Sequence, residues 1–557
     1  MMKPRAKAAA HDVASELEQA IQRILESKSR RKLVVAGPGT GKTTLFKKLL
    51  ESSAGDKNSR LTLTFITNLK AELDKALSDL CQVSTLHGYC QWLLRRTPAI
   101  RGGLTKSFVC QPEMASLIKD DWTYLRKESP PQFVHLMRDV VGDEELHFYF
   151  ERANYYDAVD FDDSIYRTCA ELKKHTESIP KYELVLIDEY QDFNRMEAGM
   201  IETLAIASPI VIAGDDDQAL YSQLRGASWE YIRALHKAEE YEVFELPFCM
   251  RCAEVIVGAV ADVISEARKI AKLEGRIEKP YKHFEPVKGK DSKLYPKIWL
   301  VETSVQRKNA NYFGRFINEA MEKIPTGEIE EANKKGEPVV LVIGSVQYLR
   351  QVRDYLIKEG HNIESPPDHP SAISAERGLE LLKQNPQSNL GWRIILEFRK
   401  KGLLISAVSQ ADNKRPLHGL IPDKLKEEIL AEADAFDPPI SADVPEGEAI
   451  EDKGATIKLT SFEGAKGLSA QHVFIIGLHA GDLPRDAKNI HDLEICKFLV
   501  GLTRTKKRCS LMFTKRFGDD FKTPSIFLSW IKEERFDGIE VNAAFWKSAK
   551  PLDSFCA

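Results

Sequence analysis

No stretch of the 557-residue chain is apolar for long enough to cross a bilayer, which excludes a helical membrane protein. The N-terminus, Met1-Met2-Lys3-Pro4-Arg5-Ala6-Lys7, is basic but runs into His11-Asp12 rather than an apolar core, so it does not read as a secretory signal. Cysteine pairs are lacking as well. Nine cysteines are scattered along the chain, and only Cys249-x-x-Cys252 are close, with no second pair to complete a zinc site. That usage predicts reduced thiols in a cytoplasmic protein. Neither sign of charge dominates: 79 Lys and Arg face 83 Asp and Glu, a net charge of −4. This balance excludes little, because a large protein can confine positive charge to one groove and stay acidic outside. Internal repeats are absent. A composition of 43% hydrophobic and 29% charged residues is that of an ordinary soluble globular protein, and the length predicts about three or four domains or subdomains.

What the chain does have is Ala36-Gly37-Pro38-Gly39-Thr40-Gly41-Lys42-Thr43-Thr44, between the apolar run Leu33-Val34-Val35 and the helical period of Leu45 to Leu50. A strand, a glycine-rich loop and a helix N-terminus aim backbone N–H groups and a positive dipole end at a di- or triphosphate. Gly39 and Gly41 permit close approach, Lys42 places charge on the outer phosphates and Thr43 can hold Mg²⁺. The loop predicts a nucleoside triphosphate site.

Two further strands end in chemistry. Leu184-Val185-Leu186-Ile187 runs into Asp188-Glu189-Tyr190-Gln191-Asp192. A carboxylate at such a strand end, Asp188, can hold the Mg²⁺ that bridges the β- and γ-phosphates, and Glu189 can polarise the attacking water as general base. Pro209 to Ala213 leads to Gly214-Asp215-Asp216-Asp217-Gln218-Ala219-Leu220-Tyr221. The three aspartates read as a solvated turn, whereas Gln218 has a two-way amide suited to sensing a γ-phosphate. Three strand–loop units of this kind predict an α/β fold with a parallel sheet and ligands at the strand C-termini.

Together these residues resemble superfamily 1A helicases of the UvrD/Rep/PcrA group. Thr67-Asn68-Leu69-Lys70-Ala71 and Thr85-Leu86-His87-Gly88-Tyr89 are similar to the two early motifs that touch single-stranded DNA. Asp160-Phe161-Asp162-Asp163 resembles the group's acidic segment, and Leu246 to Arg251 a motif whose arginine reaches the γ-phosphate. Leu459 to Leu468, followed by Val473 to Gly477, resembles the motif coupling DNA to nucleotide; Val500-Gly501-Leu502-Thr503-Arg504 resembles the last motif, and Pro524 to Leu528 the group's usual tail.

The resemblance implies two tandem RecA-like P-loop NTPase motor domains with mostly helical insertions, and ATP with Mg²⁺ in the cleft between them. The first motor domain would cover 1–90 and 159–245 around an insertion at 91–158; the second would cover 246–360 and 450–557 around an insertion at 361–449. Pro366-Pro367-Asp368-His369-Pro370 would begin the second insertion, and the acidic, proline-rich stretch from Asp437 to Asp452 would leave it as a mobile linker. Glu189, Asp188, Gln218, Arg251 and Arg504 are the implied catalytic set. Ala36 to Thr44 and Gly467 hold the nucleotide, Thr43 and Asp188 the metal, and Thr67, Asn68, Thr85, His87, Tyr221 and Ser461 the strand.

Several positions depart from the group. Met250 stands where an aromatic stacks on adenine, and Gln19 and Gln22 are the candidates for the adenine-reading glutamine. Leu224 falls nearest the position of a base-stacking aromatic. Glu463 replaces a histidine and is expected to repel phosphate, and Ser469 replaces a glutamate. Both insertions are short, and the sequence after Arg504 is too brief for a nuclease domain. The implied function is ATP-dependent translocation on single-stranded or tailed duplex DNA with 3′-to-5′ unwinding, in repair or anti-phage defence, with a possible partner such as a nuclease subunit. The alternative is an ATP-gated DNA sensor, a regulatory subunit with little unwinding alone.

Overall fold

The computed structural model describes residues 4–65, 67–364, 372–411, 413–437, 456–547 and 552. The aliphatic runs noted in the sequence become strands buried on both faces, as all-parallel sheets require. Six of them form the first sheet, in the spatial order Gln82–Thr85, Arg60–Thr64, Leu184–Ile187, Ile210–Gly214, Arg31–Ala36 and Glu242–Leu246. All five pairings are parallel. The three strands that lead to the phosphate loop, to Asp188 and to Asp215 therefore sit side by side and end at one edge.

The second sheet has seven strands, also all parallel: Ile363–Glu364, Ile457–Thr460, Val340–Ile343, Ala470–Ile476, Thr505–Thr514, Ile298–Thr303 and Phe536–Val541. The alternating residues of Val340–Ile343 feed two separate cores, Leu341 and Ile343 on one face and Val340 and Val342 on the other. The fold is two tandem RecA-like α/β domains, as the sequence predicts.

Each domain is interrupted by helices. Between Gln82–Thr85 and Leu184–Ile187 the chain passes through Leu86–Arg96, Met114–Arg126, Phe133–Asp139, Asp143–Tyr156 and Phe161–Lys174. Between Ile363–Glu364 and Ile457–Thr460 it passes through Ala375–Gln384, Asn389–Arg399, Lys401–Ala411 and Asp423–Ala435. The segment Pro366 to Pro370 and, of the stretch from Asp437 to Asp452 expected to be a linker, all but Asp437 lie outside the described residues.

The two insertions share one core with a face of the first sheet, in which Leu33 and Val185 of the sheet, Leu117, Ile118 and Tyr149 of the first insertion and Leu390, Trp392 and Ile395 of the second belong to one cluster. A fully buried carboxylate ties the two insertions. Asp121 accepts from Arg152 Nε and Tyr156 Oη at 2.9 and 2.5 Å within the first insertion, and from Arg393 Nε at 2.8 Å in the second. Burial alone would raise this carboxyl, but Arg152 and Arg393 outweigh it and hold Asp121 below the usual carboxylate range. Backbone carbonyls add to the junction: Tyr155 Oη donates to Arg415 O at 2.7 Å, and Gln111 Nε2 to Ala372 O at 2.8 Å. No helix among the described residues is long and apolar enough to cross a membrane.

Candidate nucleotide cleft and nucleic-acid track

The phosphate loop turns on two glycines in the left-handed region, Gly39 at φ 73° and Gly41 at φ 90°. The helix Lys42–Ser52 starts directly after Gly41, so its first N–H groups face the loop's concavity. The loop is backed by the segment that follows Glu242–Leu246. Met250 N–H donates to Gly39 O at 2.8 Å. A Cβ on Gly39 would lie 2.4 Å from Arg251 Cβ, and one on Gly41 2.4 Å from Met250 Cε. Position 39 has room only for glycine, and at Gly41 it is the φ of 90° that calls for one, since the Met250 side chain can move aside.

Pro38, Gly39, Thr40, Gly41, Lys42 and Thr43 line a cleft of about 570 Å³ between the two sheets. Ala36 closes the strand beneath, Gly37 packs on the Tyr281 ring, and Thr44 lies exposed on the next face of the helix. Across the cleft stand Asp188 and Glu189. Glu189 has φ 54°, a strained backbone for a glutamate and of the kind found at functional sites. Its carboxylate pairs with Lys42 Nζ at 2.9 Å and accepts from Gln191 Nε2 at 2.5 Å. Burial opposes ionisation, but Lys42 and then Lys466 overcome it, so Glu189 stays ionised. Burial and the neighbouring Glu189 charge push Asp188 up to about 7. Asp188 Oδ1 has no hydrogen-bond partner among the described residues. A buried, unpartnered carboxylate oxygen in the same cleft as the Thr43 hydroxyl fits a hard divalent cation such as Mg²⁺.

The second domain reaches into this site. Gln218 Nε2 donates to Asp215 Oδ2 at 2.8 Å, and Gln218 Oε1 accepts from Arg504 Nη2 at 2.9 Å. Arg504 is anchored by Nε to Val500 O at 3.0 Å; burial and then Arg251 lower its pKa to about 10. Arg251 Nη1 donates to Thr503 O at 3.4 Å. Lys466, not singled out from the sequence, is the densest link: its Nζ meets Gln218 O and Asp192 Oδ2, both at 2.5 Å, and lies 3.6 Å from Glu189. Its position between Ala465 and Gly467 in the coupling motif was the available signal. Gly467, at φ 83°, lines the cleft beside it. Gln471 also lines the cleft, with both amide atoms buried and unpartnered among the described residues.

Three sequence expectations are corrected. Asp215, Asp216 and Asp217 are not a solvated turn but are buried, with Lys279 Nζ 2.8 Å from an oxygen of each. Arg276 adds a bidentate grip on Asp217 and Arg233 an ion pair to Asp216 at 2.9 Å. Glu463 is not a bare negative charge: it pairs with Lys497 at 2.7 Å. Gln19 and Gln22 do not enter the cleft; they are exposed and bond to Ser15 and Glu26 on their own helix. The pair Cys249 and Cys252 is buried behind the loop, where Tyr281 Oη donates to Cys249 Sγ at 3.2 Å, and no cluster of three ligands includes it among the described residues.

Of the residues expected to touch a nucleic acid, all but Ser461 gather at the strand ends of the first sheet. Thr67 and Asn68 open the helix Thr67–Leu77, and their side chains lie outside what is described; the same holds for the side chain of Leu224 in the turn Ser222–Arg225. Thr85 caps the helix Leu86–Arg96, accepting from Gly88 N–H at 3.3 Å and contacting His87 Nε2 at 3.2 Å. Burial, and next the Arg225 charge, lower the His87 pKa to about 4, so its ring is neutral. Tyr221 lies beside Phe65, ring centroids 5.5 Å apart, and its hydroxyl donates to Glu463 O at 3.0 Å in the other domain. Ser461 lines a separate groove at the strand ends of the second sheet.

Fold and cleft are those of a two-domain P-loop protein, in which residues of one parallel-sheet domain reach the phosphate loop built on the other. A family model described as the UvrD/REP helicase N-terminal domain matches residues 17–134 and 141–240. A probable DNA helicase II homolog from Mycoplasma genitalium is 22% identical over 94% of this chain and 89% of its own length. The ATP-dependent DNA helicase PcrA of Staphylococcus aureus is 26% identical over 42% of this chain, a stretch that spans 37% of that relative. The Staphylococcus epidermidis PcrA matches to the same extent. In fold and motifs the chain is similar to the UvrD/Rep/PcrA-like helicases of superfamily 1A.

Proposed function

We propose that the chain is an ATP-dependent motor that moves along single-stranded DNA and unwinds tailed duplexes, with the 3′-to-5′ polarity implied by its motifs. The observation that carries this reading is the bridge made by Lys466 and Arg504 to Glu189, Asp192 and Gln218, because it links the nucleotide's reactive end to the position of the second domain. Thr43 and Asp188 are the residues that would hold Mg²⁺, which would supply charge neutralisation to the triphosphate. Phosphate oxygens compete with Glu189 for Lys42, and a released Glu189 takes the proton from the attacking water. Arg504 and Arg251 stabilise the charge that develops on the transferred group. Loss of that group weakens the hold of the second domain on Gln218, so the cleft opens and one domain shifts relative to the strand.

The proposed setting is cytoplasmic DNA repair or anti-phage defence, with a nuclease subunit as the kind of partner a compact motor would serve. The domain limits given in Sequence analysis are proposed for the motor and its insertions. The test is ATP hydrolysis with and without oligonucleotides, followed by strand displacement on duplexes carrying a 3′ or a 5′ single-stranded tail. Hydrolysis stimulated by single strands and displacement from the 3′ tail are expected. Stimulation without displacement would favour an ATP-gated sensor, and no stimulation by any nucleic acid would overturn the proposal.

A further inference from the structure

Glu242–Leu246 is the last strand that the chain gives to the first sheet. The helix Glu254–Lys269 already belongs to the second domain, where its Ile256, Val260 and Val263 share a core with Leu341 and Ile343. Pro247 to Ala253 is therefore the connector between the two domains, and it contains Cys249-Met250-Arg251-Cys252. The two sulfurs are held in unlike ways. Cys249 Sγ accepts from Cys252 N–H at 3.4 Å and has Tyr281 Oη 3.2 Å away, whereas Cys252 Sγ donates to Thr503 O at 3.6 Å. Burial pushes the Cys249 thiol up, but the hydrogen bonds from Cys252 and Tyr281 outweigh it and hold it below the ordinary thiol range. The bond to Cys249, and then burial, raise Cys252. Burial raises Cys90, Cys496 and Cys509 as well, so Cys249 stands apart from the other core thiols. One sulfur of the pair has the character of a nucleophile, and its neighbour that of the thiol which resolves it.

The surroundings of the pair give its oxidation an effect. The bend backs the phosphate loop, where a Cβ on Gly39 would lie 3.3 Å from Cys249 Sγ and 2.4 Å from Arg251 Cβ. Thr503 O, next to Arg504, accepts from Cys252 Sγ and from Arg251 Nη1. A bond between the two sulfurs closes half of the connector into a ring and removes the proton that Cys252 gives to Thr503 O. Arg251, inside that ring, then loses the freedom to follow the second domain.

We propose that Cys249 and Cys252 form a reversible disulfide switch in the inter-domain connector, set by a peroxide and released by a thiol, which suppresses ATP turnover while closed. Both sulfurs are fully buried, which excludes bulky disulfides as oxidants and favours one as small as hydrogen peroxide, arriving through the cleft that Met250 and Arg251 line. The Cys249 thiolate attacks one peroxide oxygen, the O–O bond breaks, and the departing hydroxide takes up a proton to leave as water. The Cys252 sulfur then attacks the sulfenic acid on Cys249. The S–O bond breaks, the S–S bond forms, and the Cys252 proton leaves with the hydroxide as a second water. The two thiols lose two electrons in all, and these reduce one peroxide.

The inference rests on the proposed ATP hydrolysis for one of its two readouts. The other is a peptide map after peroxide treatment and alkylation of the remaining thiols. Trypsin cuts after Arg251, so the two cysteines fall in separate peptides and a disulfide between them appears as a crosslinked pair. Treated wild type should show this crosslink and hydrolyse ATP about 10- to 100-fold more slowly, the scale of a misplaced catalytic group. Dithiothreitol should reverse both changes. Cys252→Ala should give no crosslink and should be labelled at Cys249 by dimedone, which traps sulfenic acids. Cys249→Ser should keep its own untreated rate after peroxide. No crosslink in treated wild type overturns the switch, as does a crosslink that leaves hydrolysis unchanged or equal inhibition of Cys249→Ser. A wild type that hydrolyses no ATP before treatment overturns the proposed function instead, and the crosslink alone then decides the pair.

Discussion

Lys42 and Glu189 sit 2.9 Å apart, so the residue proposed to grip phosphate and the residue proposed to take the proton neutralise each other. Their replacements should therefore diverge. Lys42→Ala removes the charge on the outer phosphates and should cut steady-state hydrolysis by at least about 100-fold without altering the circular dichroism spectrum. Glu189→Gln keeps shape and loses the base, so turnover should fall by about 10²- to 10⁴-fold while a fluorescent ATP analogue still binds; lost binding would show Glu189 to be a ligand instead. His87 gives a pH signature. Its folded pKa of about 4 lies below the ordinary 6.5, with burial as the main cause, the Arg225 charge lowering it further and Asp162 opposing. A depressed histidine favours the folded state above pH 6.5, and that contribution is lost as pH falls toward 4. Urea titrations should show His87→Asn losing less stability than wild type across that interval. An identical acid limb in both would show that His87 is solvated.

At the scale of elements, the segment from Arg276 to Lys279 is stapled to the turn that carries Gln218. Lys279 meets Asp215, Asp216 and Asp217, and Asp215 also orients the Gln218 amide. Removing one partner from a buried ionic cluster strands the others, so Lys279→Ala should cost about 3–5 kcal/mol in denaturant unfolding and slow hydrolysis through a misplaced Gln218. Wild-type stability would mean that Arg276 and Arg233 suffice. This staple also marks how far the sequence could be read. The strand before Lys42, the strand before Asp188 and the glycines at 39 and 41 were legible because each signal is local: an aliphatic run, a turn, a helix period. The burial of the three aspartates was not, because the cation that permits it comes from beyond Glu242–Leu246, in a segment of no distinctive pattern. The bridge from Lys466 to Asp192 was hidden for the same reason, since local periodicity carries no information on which distant charge will share a cavity. Gln19 and Gln22 failed in the other direction: the residue type was right for reading a base, but both face solvent on their own helix.

At the scale of the molecule, each motor domain carries one insertion, and the insertions are joined through Asp121, Arg152 and Arg393. The domains themselves meet at the cleft through Lys466 and Arg504. Four bodies are therefore connected in a closed circuit: the chain itself passes from each domain into its insertion and from the first domain to the second, and the contact between the insertions closes the ring noncovalently. A closed four-bar linkage has far fewer independent motions than an open chain of the same parts. Rotation at the cleft must appear as a compensating rotation where each insertion leaves its motor domain, with the Asp121 junction as a passive rigid bar. Asp121→Ala loosens that bar and leaves Arg152 buried without its anion, while Arg393 keeps Glu397 at 2.8 Å. Fluorophores on the two insertions should report one narrow distance distribution in the wild type, with or without ATP, and a broad one in the variant. ATP hydrolysis should persist while strand displacement per ATP falls, because a stroke applied to an open chain dissipates in its slackest joint.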